Sequence, residues 1–167
     1  NLINNEIYEE SYDKLILAPG AKPFIPDIKG IYNDKVFTLR NVEDTFKIKG
    51  FIDSNNPKKA TVIGGGFIGL EMAENLVKLG VEVTIIEKSN HVLGNIDNDI
   101  ASVLHNYMRN NNINLLLNRS VLEIEEQEEL ILKLDNNECI QSNMIILASG
   151  VIPESTLAKK AGLELGI

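Results

Sequence analysis

Residues 60–69 read ATVIGGGFIG, a short β-branched run followed at once by a glycine-rich turn. Gly64, Gly66 and Gly69 have the G-x-G-x-x-G spacing, and a segment with helical periodicity follows to Leu79. In a βαβ unit the first glycine permits the tight turn, the second lets the backbone approach a pyrophosphate, and the third lets helix and strand pack closely. The stretch therefore predicts a parallel α/β sheet with an anion site at the start of the helix.

The next strand, predicted over residues 81–86, ends in an acidic residue. Glu87 lies 18 residues after Gly69, at the end of the second strand of the unit. A carboxylate there accepts hydrogen bonds from ribose hydroxyls and repels a 2′-phosphate, which favours NAD(H) over NADP(H). The neighbouring Lys88 weakens that preference, and FAD uses the same fingerprint, so the pattern leaves the ligand class open.

Apolar runs predict further elements before and after this unit. Residues 15–18 are predicted to form a buried strand, and residues 38–54 a helix capped by Asn41. Asp97 is predicted to cap another helix. The buried stripe of that helix is predicted to consist of Ile100, Val103, Leu104, Tyr107 and Met108.

Residues 113–117 are predicted to form a third strand. After them the hydrophobic period changes to two, which predicts an antiparallel meander. Its strands are predicted over residues 121–125, 130–134 and 139–140, before a last apolar strand over residues 144–148. The predicted fold is α/β: a Rossmann-like parallel sheet with a βββ meander as crossover and two or three flanking helices.

Composition excludes several classes of function. The 167 residues carry 16 Lys and Arg against 24 Asp and Glu, a net charge of −8, which argues against nucleic-acid binding. No apolar run approaches the roughly 18 residues of a membrane span. One cysteine excludes a disulfide framework and a Cys-rich metal site, and suits a reducing cytoplasm, the predicted location. Because residue 1 is Asn and no signal pattern follows, we interpret the sequence as a piece of a larger protein.

Four blocks of sequence resemble a known family. They comprise residues 12–21, 37–40, 64–73 and 148–153. In this order they resemble the pyridine nucleotide–disulfide oxidoreductases, flavoproteins that bind two dinucleotides, over nearly the whole chain. Residues 67–76 and the helix around His105 look most like coenzyme A-disulfide reductases, with NADH oxidases, NADH peroxidases and rubredoxin or nitrite reductases as close relatives.

The resemblance implies that this chain binds and orients NAD(H), while FAD belongs to the full-length enzyme. NADH would deliver hydride to FAD, which passes electrons to a redox cysteine or a cysteine–CoA mixed disulfide. The implied NAD contacts are Gly64, Gly65, Gly66, Phe67, Ile68, Gly69, Glu71, Glu87, Lys88 and Gly150. The implied FAD contacts are Ala18, Pro19, Gly20, Ala21 and Arg40.

Three of these positions carry more specific expectations. Phe67 takes the place of an aromatic gate, usually Tyr, that covers the flavin when NADH is absent. Glu71 matches a family glutamate beside the nicotinamide amide. Pro19 stands where the family often has Thr, which removes a hydroxyl and an N–H donor.

The resemblance also implies a domain organisation. Residues 1–54 correspond to the end of an FAD-binding domain and a linker helix, residues 55–153 to the NAD(H)-binding domain, and residues 154–167 to the start of the return to the FAD domain. The implied partners are the FAD and dimerisation domains of the same polypeptide, with a homodimer at full length. Since the redox cysteine is implied to lie elsewhere, we expect no catalytic residue here and no activity from this chain alone.

For the remaining candidate residues, the sequence favours structural or surface positions over binding and catalysis. Cys139 lacks a neighbouring base or helix N-terminus that would activate it, so we expect it to be incidental. His105 is predicted to lie on the surface, and His91 either borders the adenine or is a plain loop residue. Residues 125–129 are predicted to form a solvated hairpin turn.

Alternative functions remain open. An NADH oxidase or peroxidase, or a rubredoxin or nitrite reductase, would use the same domain with another electron acceptor. A non-catalytic NAD-binding sensor differs in class, and residues 12–21 argue against it because a flavin-domain strand has no purpose there. A free-standing dehydrogenase needs a substrate domain that the remaining length cannot supply.

Overall fold

The computed structural model describes residues 3–166 and contains two compact units. The larger unit is Lys22–Ile152, and the segments that flank it form the smaller one. The larger unit thus includes residues 22–54, upstream of the region predicted to form the nucleotide-binding domain.

Ten strands and four helices are described in this range. In chain order they are β1 (Ala21–Pro23), β2 (Val36–Thr38), α1 (Val42–Asn55), β3 (Lys59–Ile63), α2 (Phe67–Lys78), β4 (Glu82–Glu87), α3 (Asn98–Asn110), β5 (Ile113–Leu117), β6 (Val121–Glu126), β7 (Leu130–Leu134), β8 (Cys139–Ser142), β9 (Met144–Leu147), β10 (Val151–Pro153) and α4 (Thr156–Lys160). None of these helices has the length and apolar character needed to cross a lipid bilayer.

Five parallel strands form the central sheet of the larger unit, in the order β2-β9-β3-β4-β5. At the end of β3, Ile63 pairs with Ile86 of β4 on one side and with Leu147 of β9 on the other. The carboxyl ends of three neighbouring strands therefore meet at one edge, where open parallel sheets bind ligands. The predicted α/β fold and its βαβ unit are confirmed.

Both faces of this sheet are buried. Val62 belongs to a core cluster with Leu76 of α2, whereas Ile63 belongs to a second cluster with Leu132 of β7. Since successive side chains of a strand point to opposite faces, the helices cover one face and the β6-β7-β8 region covers the other. Burial on both faces explains why β3 and β9 are continuous apolar runs.

The meander is confirmed as an antiparallel three-stranded sheet that connects β5 to β9. The turn between β6 and β7 is shorter than predicted, because Glu125 pairs with Ile131 and Glu126 pairs with Leu130 within the ladder. Only residues 127–129 form the turn.

The strand predicted over residues 15–18 is wrong. This segment has no strand geometry, and the side chains of Leu15 and Ile16 are 58% and 90% exposed. A buried strand needs a neighbour that pairs with its backbone and a layer that covers its side chains. Within residues 3–166 no strand pairs with this segment.

Helix α1 begins at Val42, four residues later than predicted, because Thr38 ends β2. Asn41 caps the helix as predicted: its side-chain oxygen accepts the Asp44 N–H over 2.9 Å, and the Asp44 carboxylate accepts the Asn41 N–H over 3.3 Å. This reciprocal pair is a capping box, which satisfies two backbone donors at the helix start.

Helix α3 confirms the predicted stripe only in part: Met108 is buried and Leu104 packs against the core. Ile100, Val103 and Tyr107 of the predicted stripe are 59%, 68% and 50% exposed. The buried residues are Ala101, His105 and Met108. The prediction counted only large apolar side chains, so it missed Ala101 and the ring of His105, which this fold buries.

A pair of leucine substitutions tests the second core layer. Leu132 is fully buried under the sheet, whereas Leu122 on β6 is 59% exposed. We expect Leu132→Ala to lower the free energy of unfolding by about 2–5 kcal/mol, since it leaves a cavity. Leu122→Ala, the matched control, should change it by less than about 0.5 kcal/mol in urea unfolding. Equal losses in both variants would contradict the layered core.

Candidate functional site

A cleft of about 600 Å³ lies at the carboxyl edge of the parallel sheet, within the larger unit. The glycine turn after β3, the end of β4, the segment after β5 and the segment after β9 all contribute to its lining. The lining residues of most interest are Gly64, Gly66, Glu87, Lys88, Arg119 and Gly150. The cleft thus occupies the place where the sequence predicted a dinucleotide site.

Two glycines of the turn are required by close packing. Gly64 has φ +109°, and a Cβ there would lie 2.3 Å from the Ala148 carbonyl oxygen. A Cβ on Gly69 would lie 2.1 Å from the Gly64 carbonyl oxygen. Both distances are far below van der Waals contact, so the turn closes between β9 and α2 only without these side chains.

Gly66 differs from these two glycines. It is the N-cap of α2, has φ −79°, and a Cβ there would meet no atom within 4 Å. No side chain caps the helix, so the first-turn N–H groups have no side-chain acceptor at this end. An open backbone at a helix N-terminus with a positive dipole end suits a pyrophosphate, and the residues present fit that group.

Glu87 is tied to the glycine turn by its side chain. Its Oε2 accepts the Gly65 N–H over 2.6 Å, and its Oε1 accepts the Ser89 N–H over 2.7 Å. These two bonds fix the carboxylate at the edge of the cleft, beside the backbone of the glycine turn, which would approach a pyrophosphate. Each oxygen keeps acceptor capacity for a further donor, such as a ribose hydroxyl.

Arg119 is a cleft residue that the sequence analysis missed. It follows β5, its backbone N–H donates to the Glu87 carbonyl oxygen over 3.0 Å, and it lines the same cleft. The rule that carboxyl ends of parallel strands meet at one edge could have identified it, since β5 is the next parallel strand.

The segment after β4 also holds the glycine turn, a role that the sequence analysis did not predict. The Leu93 N–H donates to the Gly65 carbonyl oxygen over 2.9 Å, and Leu93 itself has φ +50°. A Cβ on Gly65 would lie 2.9 Å from Val92 Cγ1. Both peptide groups that flank Gly65 are therefore held, the first by Glu87 and the second by Leu93.

Of the other expected NAD positions, Phe67, Ile68 and Glu71 lie outside the lining of the cleft, whereas Gly150 belongs to it. Phe67 and Ile68 stand in the first turn of α2 with 64% and 43% of their surfaces exposed, and Glu71 follows one turn later, also exposed. Gly150 lines the cleft with φ +108°, and its carbonyl oxygen accepts the Phe24 N–H over 2.9 Å.

The expected FAD positions belong to both units. Residues 18–21 lie in the smaller unit, where the Gly20 carbonyl oxygen accepts the Glu154 N–H over 2.9 Å. Arg40 lies exposed in the larger unit, and its backbone N–H donates to Asp44 Oδ2 over 2.9 Å. Their role toward FAD stays a prediction.

The surface position predicted for His105 is wrong. His105 is 8% exposed, and its Nε2 accepts the Val92 N–H over 3.2 Å. Burial, the positive charge of Arg109 and the nearby His91 lower the pKa of His105 below its ordinary value. Cys139 is an exposed free thiol on β8, outside the cleft. Within residues 3–166 no cluster of potential ligands could hold a metal ion.

The comparisons with known proteins define the class of the molecule. Residues 3–167 match the family model described as pyridine nucleotide-disulphide oxidoreductase, and the chain belongs to that family of enzymes. The chain spans about a third of the length of the curated relatives it matches, 36% and 28% for the first two.

Individual relatives carry more specific names. A coenzyme A disulfide reductase of Staphylococcus haemolyticus is 41% identical over 126 residues, which cover 75% of this chain and 28% of that protein. The crystal structure of reduced Bacillus anthracis CoADR-RHD matches all of this chain and 30% of its own, with 50% identity and a TM-score of 0.92.

A third relative is a water-forming NADH oxidase from Lactobacillus brevis, solved with NADH bound. It is 31% identical, with a TM-score of 0.82, and the match covers 95% of this chain and 35% of that one. A five-residue mutant of the same enzyme is described as an engineered NADPH oxidase and was solved with NADPH bound.

Substitutions at two glycines test the geometry of the turn. We expect Gly64→Ala to lower the free energy of unfolding by more than about 2 kcal/mol, because both its positive φ and the contact with Ala148 exclude a side chain. Gly66→Ala, the control in the same turn, should cost less than about 1 kcal/mol, the scale of a changed helix cap. Urea unfolding of both variants measures the difference, and a larger loss for Gly66→Ala would refute this geometry.

Proposed function

We propose that this chain binds NADH in the cleft at the carboxyl edge of its parallel sheet and presents it to FAD in a pyridine nucleotide–disulfide oxidoreductase. The pyrophosphate would lie against the N-terminus of α2 at Gly66, and the adenosine ribose against Glu87. The expected NAD contacts are otherwise those named from the sequence, to which Arg119 is added as a further residue of the cleft.

The observation that carries this proposal is the position of the Glu87 carboxylate. It accepts the Gly65 N–H at 2.6 Å, so an anionic acceptor lies beside the glycine turn. The next residue, Gly66, is the open N-cap of α2. A ribose needs an acceptor for its hydroxyls, and the adjoining pyrophosphate needs a set of N–H donors nearby. Both groups lie in one cleft here.

The preference for NADH over NADPH follows from the same carboxylate, because a 2′-phosphate would stand beside a negative charge. The Lactobacillus brevis NADPH variant gives independent support. Its changes replace a glycine and an aspartate 18 positions apart with alanine, and the residue after the aspartate with arginine. Gly69 and Glu87 are likewise 18 positions apart, so this chain keeps the pair that the NADPH variant lost. Lys88 acts in the opposite direction, because the variant gained a positive residue at the position after the aspartate.

When bound, NADH would be held by the residues of the cleft and would supply a hydride, and the family resemblance implies that FAD would pass the electrons on to a redox cysteine. Phe67 and Glu71 are one helical turn apart, so both side chains lie on one face of α2. We assign Phe67 to covering the flavin when NADH is absent and Glu71 to holding the nicotinamide amide. Cys139 is the sole cysteine of the sequence and has no base or helix N-terminus beside it in the sequence that would activate it, so we place the redox cysteine elsewhere in the polypeptide.

The electron acceptor that we favour is a coenzyme A disulfide, because relatives with that name or abbreviation are 41% and 50% identical to this chain. An NADH oxidase reaction is the second candidate, supported by an NADH oxidase of Methanocaldococcus jannaschii at 38% identity and by the Lactobacillus brevis enzyme at 31%. Both reactions use this chain in the same way, as the NADH-binding part, and differ in residues beyond it.

Calorimetric titration of the chain with NADH and with NADPH tests the proposal. We expect NADH to bind at least about tenfold more tightly than NADPH. Glu87→Gln should weaken NADH binding about tenfold and reduce the preference for NADH over NADPH, since a charged acceptor is lost. Glu82→Gln is the matched control, because Glu82 is exposed at the opposite end of the same strand. Equal affinities for both nucleotides in the unmutated chain would contradict the assignment of Glu87.

The chain alone is expected to bind NADH without oxidising it. We expect absorbance at 340 nm to stay constant when the chain is mixed with NADH and coenzyme A disulfide, because the proposal places the redox cysteine elsewhere. Oxidation of NADH by the purified chain, or flavin retained through purification, would show that this division of roles is wrong.

A further inference from the structure

The two histidines of the sequence hold the two backbone polar groups of one residue, Val92. His105 Nε2, on α3, accepts the Val92 N–H over 3.2 Å. His91 Nδ1 lies 2.9 Å from the Val92 carbonyl oxygen and donates to it, since a carbonyl oxygen only accepts. Val92 is fully buried, so neither of its backbone groups has water as an alternative partner.

Val92 and Leu93 in turn hold the glycine turn. The Val92 side chain packs against Gly65, where an added Cβ would lie 2.9 Å from Cγ1. The Leu93 N–H donates to the Gly65 carbonyl oxygen over 2.9 Å. A continuous series of contacts therefore links His105 to Gly65, which directly precedes the open cap of α2.

The bond from Leu93 sets the direction of a donor in the cleft. In a planar trans peptide the C=O and the following N–H point in opposite directions. Because the Gly65 carbonyl oxygen points to Leu93, the Gly66 N–H points away from Leu93. That N–H belongs to the position where the site needs a donor for pyrophosphate.

We infer that His105 is a positioning residue of the dinucleotide site: through the Val92 N–H it fixes the segment whose Leu93 N–H orients the Gly65–Gly66 peptide toward the pyrophosphate. This inference rests on the proposed binding of NADH. The residue acts only as a neutral imidazole, because a protonated ring has no acceptor and would face the Val92 N–H with a second donor.

The surroundings of His105 keep it neutral. Burial is the main cause that lowers its pKa, and the positive charges of Arg109 on the same helix and of His91 when protonated act in the same direction. β5, the strand that packs most closely on α3, carries no titratable residue over Ile113–Leu117. Since the folded-state pKa is lowered, the unfolded chain binds more protons in acid. The stability from neutral His105 is thus complete above about pH 6.5 and is lost as the pH falls toward the lowered pKa.

The experiment compares the chain with His105→Gln, His105→Leu and His91→Gln. Glutamine reaches about as far as Nε2 and presents an oxygen that accepts the Val92 N–H at every pH, whereas leucine leaves that N–H unpaired. His91→Gln keeps a donor for the Val92 carbonyl oxygen and removes the other histidine from the titration. The probe is ADP-ribose, which carries the pyrophosphate and adenosine of NADH and is stable in acid, with NADH titrated at pH 7.5 for reference.

We expect the unmutated chain and His91→Gln to bind ADP-ribose more weakly at pH 5.5 than at pH 7.5, by a factor below about ten, because the lowered pKa of His105 leaves part of the molecules with a neutral ring at pH 5.5. His105→Gln should match the unmutated chain at pH 7.5 and change less than about twofold at pH 5.5, and folded His105→Leu should bind about tenfold more weakly at pH 7.5. The imidazole nitrogen shifts of His105 should report an Nδ1–H tautomer without any ligand.

Two results would overturn the inference alone: an unchanged pH dependence in His105→Gln, or an Nε2–H tautomer of His105. If NADH fails to bind the unmutated chain at pH 7.5, the proposed function fails, and the inference fails with it. The tautomer measurement is independent of nucleotide, so the two failures are distinguishable.

Discussion

The hydrogen bond between the Gly65 N–H and Glu87 Oε2 is the interaction on which the site depends. It joins the turn after β3 to the end of β4, two points that a parallel pairing of adjacent strands brings to the same edge. Without it, the acidic residue and the open cap of α2 would be independent loop features. With it, an acceptor and a set of donors keep one fixed spacing.

That bond is possible only because the sheet is buried on both faces. Helices cover one face and the meander covers the other, so the strand ends cannot shift relative to each other without disturbing two core layers. Gly64 and Gly69 then bring the turn so close to Ala148 and α2 that β9 is fixed at the same edge. Close packing thus fixes the positions of the strand ends, just as the hydrogen bond to Glu87 fixes one peptide of the turn.

The sequence predicted the parts of this structure that local patterns determine. The βαβ unit, its glycines, Glu87, the meander and the Asn41 cap all follow from spacing, period and residue type, and the structure has them. Residues 15–18 failed because a strand exists only with a neighbour, and an apolar run does not tell whether one is present. His105 failed because its burial depends on the backbone of Val92, 13 residues away, a contact that no helical period encodes.

Leu93, beside the glycine turn, has an unfavourable backbone conformation. Of the six non-glycine residues described with positive φ, five are asparagines, which tolerate that conformation, and the sixth is Leu93. A leucine held there stores about 1–3 kcal/mol of backbone strain. Glycine would remove the strain but also the side chain, which is 8% exposed and belongs to the main core. The molecule therefore keeps a locally unfavourable backbone conformation next to the cleft, and the burial of the Leu93 side chain in the core offsets that strain.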